Sequence, residues 1–293
     1  MTALTLGILG GLGSAFTWAL ITTMSQRVAG RFTPAGINAF RALVGGLIVL
    51  VGTVLGGLGG EIVGMPLWAA GMMWVSVLIG YAGGDVVFFA GMQRLGVTRA
   101  HTLSMAHPLM TTVVGALFLG EPITPLRLVG IGFVLGGISL IITGRGAGSP
   151  DPHDGSRRGV RLILLAAVAW MVSAVLMKAP LQVVSPLVAT AIRSPVAGLA
   201  LWVTPWARGT WGAVKQSRGQ EAWLLAGICL LSALSPVLFV TGLKYGGVAI
   251  GTVLSTTSPL FTIPLEIFLL KQRPSRRTVA GAVTTVVGIA LMS

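Results

Sequence analysis

Two serines each stand four residues ahead of a proline in apolar sequence: Ser104 and Pro108 in SMAHP, Ser255 and Pro259 in STTSP. A proline inside a helix has no N–H to offer the carbonyl four residues back. Each pair therefore leaves a backbone acceptor beside hydroxyl groups. Thr256 and Ser258 add hydroxyls to the second copy, and His107 stands where that copy has Ser258. Such groups can hold a polar solute, and His107 can carry a proton near neutral pH. The same hydroxyls can instead bond back to carbonyls of their own helix.

Other polar residues lie deep in apolar runs. Asp85 sits in the middle of one. An acid at such a position costs about 2.5–3.5 kcal/mol to insert in a bilayer, and it faces a cavity or an internal partner. It reads either as a proton-coupling carboxylate and cation contact or as a buried acid tied to a neighbouring helix. Arg41 and Arg193 each follow a proline, Pro34 and Pro186, by seven residues. Their guanidinium forks suit an anionic group, or they tie helix ends together. Trp18, Trp170 and Tyr81 line a cavity or pack helices. His101 is placed near a helix start, and Glu266 is placed for pairing with Lys271 at a membrane surface. Asn38, Gln93 and Lys178 read as helix-end residues. No His/Cys cluster suggests a metal, and no GxxxxGK[ST] loop binds a nucleotide. Neither a cofactor nor a catalytic constellation is expected.

The elements that must position these groups follow from composition. Of 293 residues, 54% are hydrophobic and 9% are charged, with a mean hydropathy of +0.90. Soluble domains are about 25% charged. The basic residues behind the net charge of +13 sit singly or in small groups between apolar runs, which argues against nucleic acid and for topology signals in a lipid bilayer. At about 20 apolar residues per span, ten helices are expected, near 4–26, 34–56, 66–91, 100–119, 124–143, 160–179, 184–206, 221–243, 248–270 and 276–292. The first is read as a retained helix rather than a signal peptide.

The spans repeat. Between 95–140 and 246–291, twelve of 46 positions are identical at an offset of 151, among them Gly130/Gly281 and Gly137/Gly288. An offset of 152 pairs Trp18/Trp170, Pro34/Pro186, Arg41/Arg193 and Gly46/Gly198. Residues 1–143 and 160–293 are therefore read as two five-helix repeats, joined by a polar linker at 144–159. Five is odd, so the repeats must be inverted in the membrane. Fifteen of the twenty Lys and Arg residues fall in loops 1–2, 3–4, 5–6, 7–8 and 9–10. By the positive-inside rule those loops face the cytoplasm and both termini lie outside it. The fold class expected is an all-α membrane protein of ten transmembrane helices in two inverted repeats. That architecture is used by transporters, with the site near the midplane.

Trp18, NAFRALVGGL (38–47) and SMAHPLMTTVVGALFLGEPIT (104–124), in this order over nearly the whole chain, resemble the drug/metabolite transporter superfamily, in particular its EamA-type transporters. The resemblance implies a cavity lined by helices 1–4 and 6–9, alternating access, and export of small metabolites, amino acids or drugs. One departure is LLKQRPS (269–275), which puts Gln272 at the place of Glu121. Another is the charge-based orientation, which opposes the cytoplasmic termini usually drawn for the family. The leading expectation is a secondary active, proton-coupled exporter in the plasma membrane, with a small-molecule substrate. A lipid-linked carrier or flippase is the alternative, and a membrane-embedded enzyme a weaker one.

Overall fold

A computed structural model of the chain describes residues 2–28, 31–95, 100, 103–104, 106–122, 124–144, 155–258, 260–261, 264–265 and 275–292. These residues form helices and turns, with no strand among them. Helix α1 is Ala3–Val28, α2 is Pro34–Thr53, α4 is Ala106–Phe118 and α5 is Pro125–Gly144. Helix α3 covers 67–95, as Leu67–Val77, a π-helical stretch Leu78–Asp85 and Val86–Leu95. Helix α6 is Gly155–Leu176, α7 is Pro186–Trp202 and α10 is Arg276–Met292. A continuous run Gln220–Ser255 breaks at Gly247, whose φ of 80° and ψ of 166° divide it into α8 (220–246) and α9 (248–255). The expected linker is outside the described residues at 145–154, as are His101, Pro259, Glu266, Lys271 and Gln272.

The expected duplication is visible at the helix starts. Thr33 caps α2 by accepting the Gly36 N–H at 3.0 Å, and Ser185 caps α7 by accepting that of Val188 at 3.4 Å. Each cap is followed by a proline at the first helical position, where the missing N–H costs nothing. Cap and proline together fix where each helix begins, and hence how deep Arg41 and Arg193 sit.

The inversion can be read from close contacts between small residues. In the α5–α10 pair, a Cβ added at Gly137 would fall 2.6 Å from the Gly281 carbonyl oxygen, and one at Gly130 would fall 2.8 Å from that of Gly288. The partner index falls as the first index rises, so the helices run antiparallel. The repeat operation exchanges the two contacts. The α2–α7 pair behaves alike: Gly46 abuts Pro195, and Gly198 abuts Leu43. Equivalent helices thus pack face to face in opposite directions, as a twofold axis in the membrane plane requires. Helix α1 packs on α8 through Gly7 and Gly242, and α6 packs on α3 through Gly159 and Gly91. Backbone contact at these crossings supplies dispersion and excludes lipid without a hydrophobic drive.

The outer faces carry Leu9, Val51, Leu117, Leu126 and Val283, each more than half exposed. Five described helices are long and apolar enough to cross a bilayer, and Ala106–Phe118, Pro125–Ile141 and Pro186–Trp202 are shorter apolar helices. The molecule is a ten-helix, multi-pass membrane protein made of two inverted repeats.

Candidate functional site

Polar side chains converge at the centre of this apolar bundle. In α3, three glycines at 80, 83 and 84 lie in the π-helical stretch that ends at Asp85. Wide turns of this kind re-aim side chains and occur often at functional sites. Glycine is required on the α6 side: a Cβ at Gly80 would lie 2.5 Å from Ser173 Oγ, and one at Gly84 would lie 2.8 Å from Trp170 Nε1. The close approach brings the Trp170 indole N–H to Asp85 Oδ1 at 2.9 Å. Asn38 donates from Nδ2 to Asp85 Oδ2 at 3.4 Å, and its Oδ1 accepts from Arg41 Nε at 2.6 Å. Arg41 also donates from Nη1 to Ser232 Oγ at 3.4 Å, and its guanidinium lies 4.7 Å above the Trp18 ring.

The second arginine is built in by the repeat. Arg193 Nη2 donates to Ser76 Oγ at 3.0 Å, and Ser76 in turn donates to the Ser173 carbonyl at 2.8 Å. Tyr81 lies within electrostatic range of Arg41, Asp85 and Arg193. His107 meets the edge of Trp170 with ring centroids 6.0 Å apart, and Phe88 packs on the same indole at 5.0 Å. Arg41, Arg193 and His107 are all buried. Three of their nitrogens, Arg41 Nη2, Arg193 Nε and His107 Nε2, are buried without a hydrogen-bond partner among the described residues. Seven helices, α1–α4 and α6–α8, thus supply one cluster.

Trp18, Arg41, Tyr81, Asp85, His107, Trp170 and Arg193 of the sequence reading meet there. The hydroxyls near the second proline behave differently. Ser255 donates to the Thr252 carbonyl at 2.8 Å, and Thr256 to that of Val253 at 2.7 Å, so both bond back within α9. The turn at 256–257 interrupts the helix ahead of Ser258. Pro108 is buried in α4, where the His107 and Pro108 carbonyls accept from Thr111 and Thr112, both at 2.8 Å. Ser104 is engaged by other groups. Asn38 is corrected from a helix-end residue to the bridge between Arg41 and Asp85, because the Thr33 cap starts α2 early enough to put residue 38 in the interior. Ser76, Ser173 and Ser232 were not singled out by sequence, since a serine in a membrane helix carries no mark of its partner.

A second arrangement bridges the repeats on one face. Glu121, at the end of α4, accepts from Lys178 Nζ at 2.7 Å, from the Val248 N–H at 2.7 Å and from the Ala249 N–H at 3.1 Å. The last two are the first free N–H groups of α9, where the helix dipole favours an anion. Gly247 makes the break possible. Its positive φ suits only glycine, and a Cβ there would stand 3.0 Å from both Glu121 carboxylate oxygens. On the same face Glu61 accepts from the Ser185 N–H at 2.5 Å and from the Ser185 hydroxyl at 3.0 Å, and Lys244 donates to the Val184 carbonyl at 2.9 Å. Glu121 and Glu61 each tie the first repeat to the second. A cavity of about 310 Å³ lies beside Glu121, with Arg127, Lys178 and Tyr245 in its wall.

The model of the EamA-like transporter family matches the chain twice, over residues 5–143 and 157–293. The chain belongs to the EamA-like transporter family. Among curated relatives, an uncharacterized transporter of Archaeoglobus fulgidus is 29% identical over 135 residues, 46% of this chain and 47% of that one. The uncharacterized transporter YcbK of Bacillus subtilis is 30% identical over 37% of this chain and 34% of its own. YvbV of the same organism is 27% identical over 47% and 45%. The chain thus spans less than half the length of each of these relatives. One crystal structure superposes with a TM-score of 0.77 over 99% of this chain and 94% of its own, at 20% identity, and that likeness carries the fold. The family and the three curated relatives carry the name of transporters, and among the described residues of this EamA-like chain no His, Cys, Asp and Glu cluster suits a metal.

Proposed function

We propose that this EamA-like protein is a secondary active exporter of small metabolites, amino acids or drugs, working by alternating access and exchanging solute for protons at Asp85. It acts in the plasma membrane, with both termini away from the cytoplasm and the Glu121 face outermost. The observation that carries the reading is the half-buried acid joined to both repeats: Asp85 takes one bond from Asn38 in the first and one from Trp170 in the second. Rocking one repeat against the other must remake the Trp170 bond, which crosses between them. A proton on Asp85 weakens both, since a carboxylate accepts more strongly than a carboxylic acid. The charged and titratable groups around it are Arg41 from α2 and Tyr81 from α3, with Arg193 of α7 in range of Tyr81 and His107 of α4 against Trp170.

The test uses proteoliposomes loaded with a panel of candidate solutes. Acidifying the outside is expected to speed efflux of at least one. Asp85→Asn is expected to cut that gradient-driven efflux by about tenfold or more, the size of one lost charge-assisted contact, while the protein still purifies as a single species. Efflux indifferent to pH and to Asp85→Asn contradicts proton exchange. Movement of none of the solutes contradicts the export of small metabolites.

A further inference from the structure

We propose that Arg41 and Arg193 jointly receive a carboxylate of the transported solute, so that the cargo is a small carboxylate-bearing molecule. The inference rests on the transport reading for its word "cargo" but on the arginines alone for its chemistry.

The two side chains are 4% and 6% exposed and occupy equivalent depths on antiparallel helices. Neither has a carboxylate as a direct hydrogen-bond partner: Arg41 donates to an amide oxygen and a hydroxyl, and Arg193 to a hydroxyl. One nitrogen of each, Nη2 and Nε, remains buried and unpartnered among the described residues. A buried cationic donor without an acceptor is among the costlier arrangements in a protein. Two of them on symmetry-related residues point to an acceptor that arrives from outside.

Charge gives the sign of that acceptor. Among the described residues the cluster holds one carboxylate, Asp85, against the two guanidinium groups of Arg41 and Arg193, and Asn38 stands between Asp85 and Arg41. The cluster holds a positive surplus whether or not Asp85 bears a proton. With Asp85 ionised, a single carboxylate restores neutrality, and its two oxygens fit the planar guanidinium fork. A cationic solute would add to the surplus. A neutral amide would supply one acceptor and no charge.

The experiment is thermal unfolding of the purified full chain with matched probes: lactate, phenylacetate and phenylalanine against lactamide, phenylacetamide and phenylalaninamide, with inorganic phosphate alongside. At least one acid is expected to raise the melting temperature in a saturable way while its amide does not. Arg41→Gln and Arg193→Gln are expected to weaken that acid by about tenfold to a hundredfold, and Arg193→Lys, which keeps charge but not the fork, by less. Equal shifts from acid and amide, a shift from phosphate alone, no shift from any acid, or unchanged affinity in the glutamine variants would each overturn the assignment. If a glutamine variant does not fold, the acid–amide comparison on the native chain decides. Binding needs no transport, so the two readings separate. An acid that binds and is not moved overturns the transport reading only, and a solute moved with no preference for acids overturns the carboxylate site only.

Discussion

Gly137→Leu is expected to be the most destabilising single change in the protein. Even a methyl group at that position would lie 2.4 Å from Thr285 Oγ1 and 2.6 Å from the Gly281 carbonyl oxygen. Two of these neighbours, the Gly281 carbonyl and the Thr285 nitrogen, are backbone, so α5 and α10 would have to part. Overpacking a close interior costs about 1–3 kcal/mol for small groups, and a leucine adds three more carbons. A fall of roughly 5 °C or more in the melting temperature is expected. The control lies on the same helix: Gly132 and Gly136 have nothing within 4 Å, so Gly132→Ala and Gly136→Ala are expected to leave the melting temperature unchanged. Equal loss at all three positions would mean that helix flexibility, and not the crossing, is what glycine serves in α5.

The second large effect is expected at Glu121. Its carboxylate is 8% exposed and satisfies two backbone N–H groups and a lysine at once. Glu121→Ala removes three charge-assisted bonds, each worth about 1.5–3 kcal/mol before any rearrangement. The loss falls on the conformer in which Glu121 bridges the repeats, so under alternating access the change shifts the population toward conformers without that bridge. A reporter cysteine in place of Ser232, beside Arg41, in a Cys229→Ser background, reads the shift. Its modification by a charged, membrane-impermeant thiol reagent applied to the Glu121 face is expected to quicken about tenfold or more. Lys178→Met should do less, because Lys178 is partly exposed at 28% and contributes a screened ion pair. An unchanged rate in Glu121→Ala would make the cluster a fixed brace rather than a closure. The equivalent position in the second repeat is Gln272, which cannot form the same ion pair. The two faces are therefore expected to close with different strength.

Much of the fold is legible in the sequence because a bilayer leaves few choices. Apolar runs of spanning length become helices, and a duplicated set of five must be inverted. Gly130, Gly137, Gly281 and Gly288 announced themselves by recurring at one offset, and they form one crossing. Asp85 and the two arginines stood out because charge is costly in apolar runs. What stayed hidden depends on pairing between distant helices. Asn38 and Ser76 look like ordinary polar residues until α3 and α7 are set against them. Glu121 was noted only as part of a loop motif. Its role needs the α8–α9 break at Gly247, a backbone feature that a glycine-rich chain does not advertise. The serine–proline pairs were the loudest repeat, yet Ser255 and Thr256 turn back on their own helix. A repeated polar motif can serve the helix that carries it.

The central claim is that the inverted repeats present one polar centre alternately to the two sides of the membrane. The most direct measurement is labelling of the Ser232→Cys reporter, in the Cys229→Ser background, from each side in turn, using right-side-out and inside-out vesicles and the same impermeant reagent. Modification from both sides, with a bound solute slowing both, is the predicted result. Modification from one side only, or from neither, would contradict alternating access at this site.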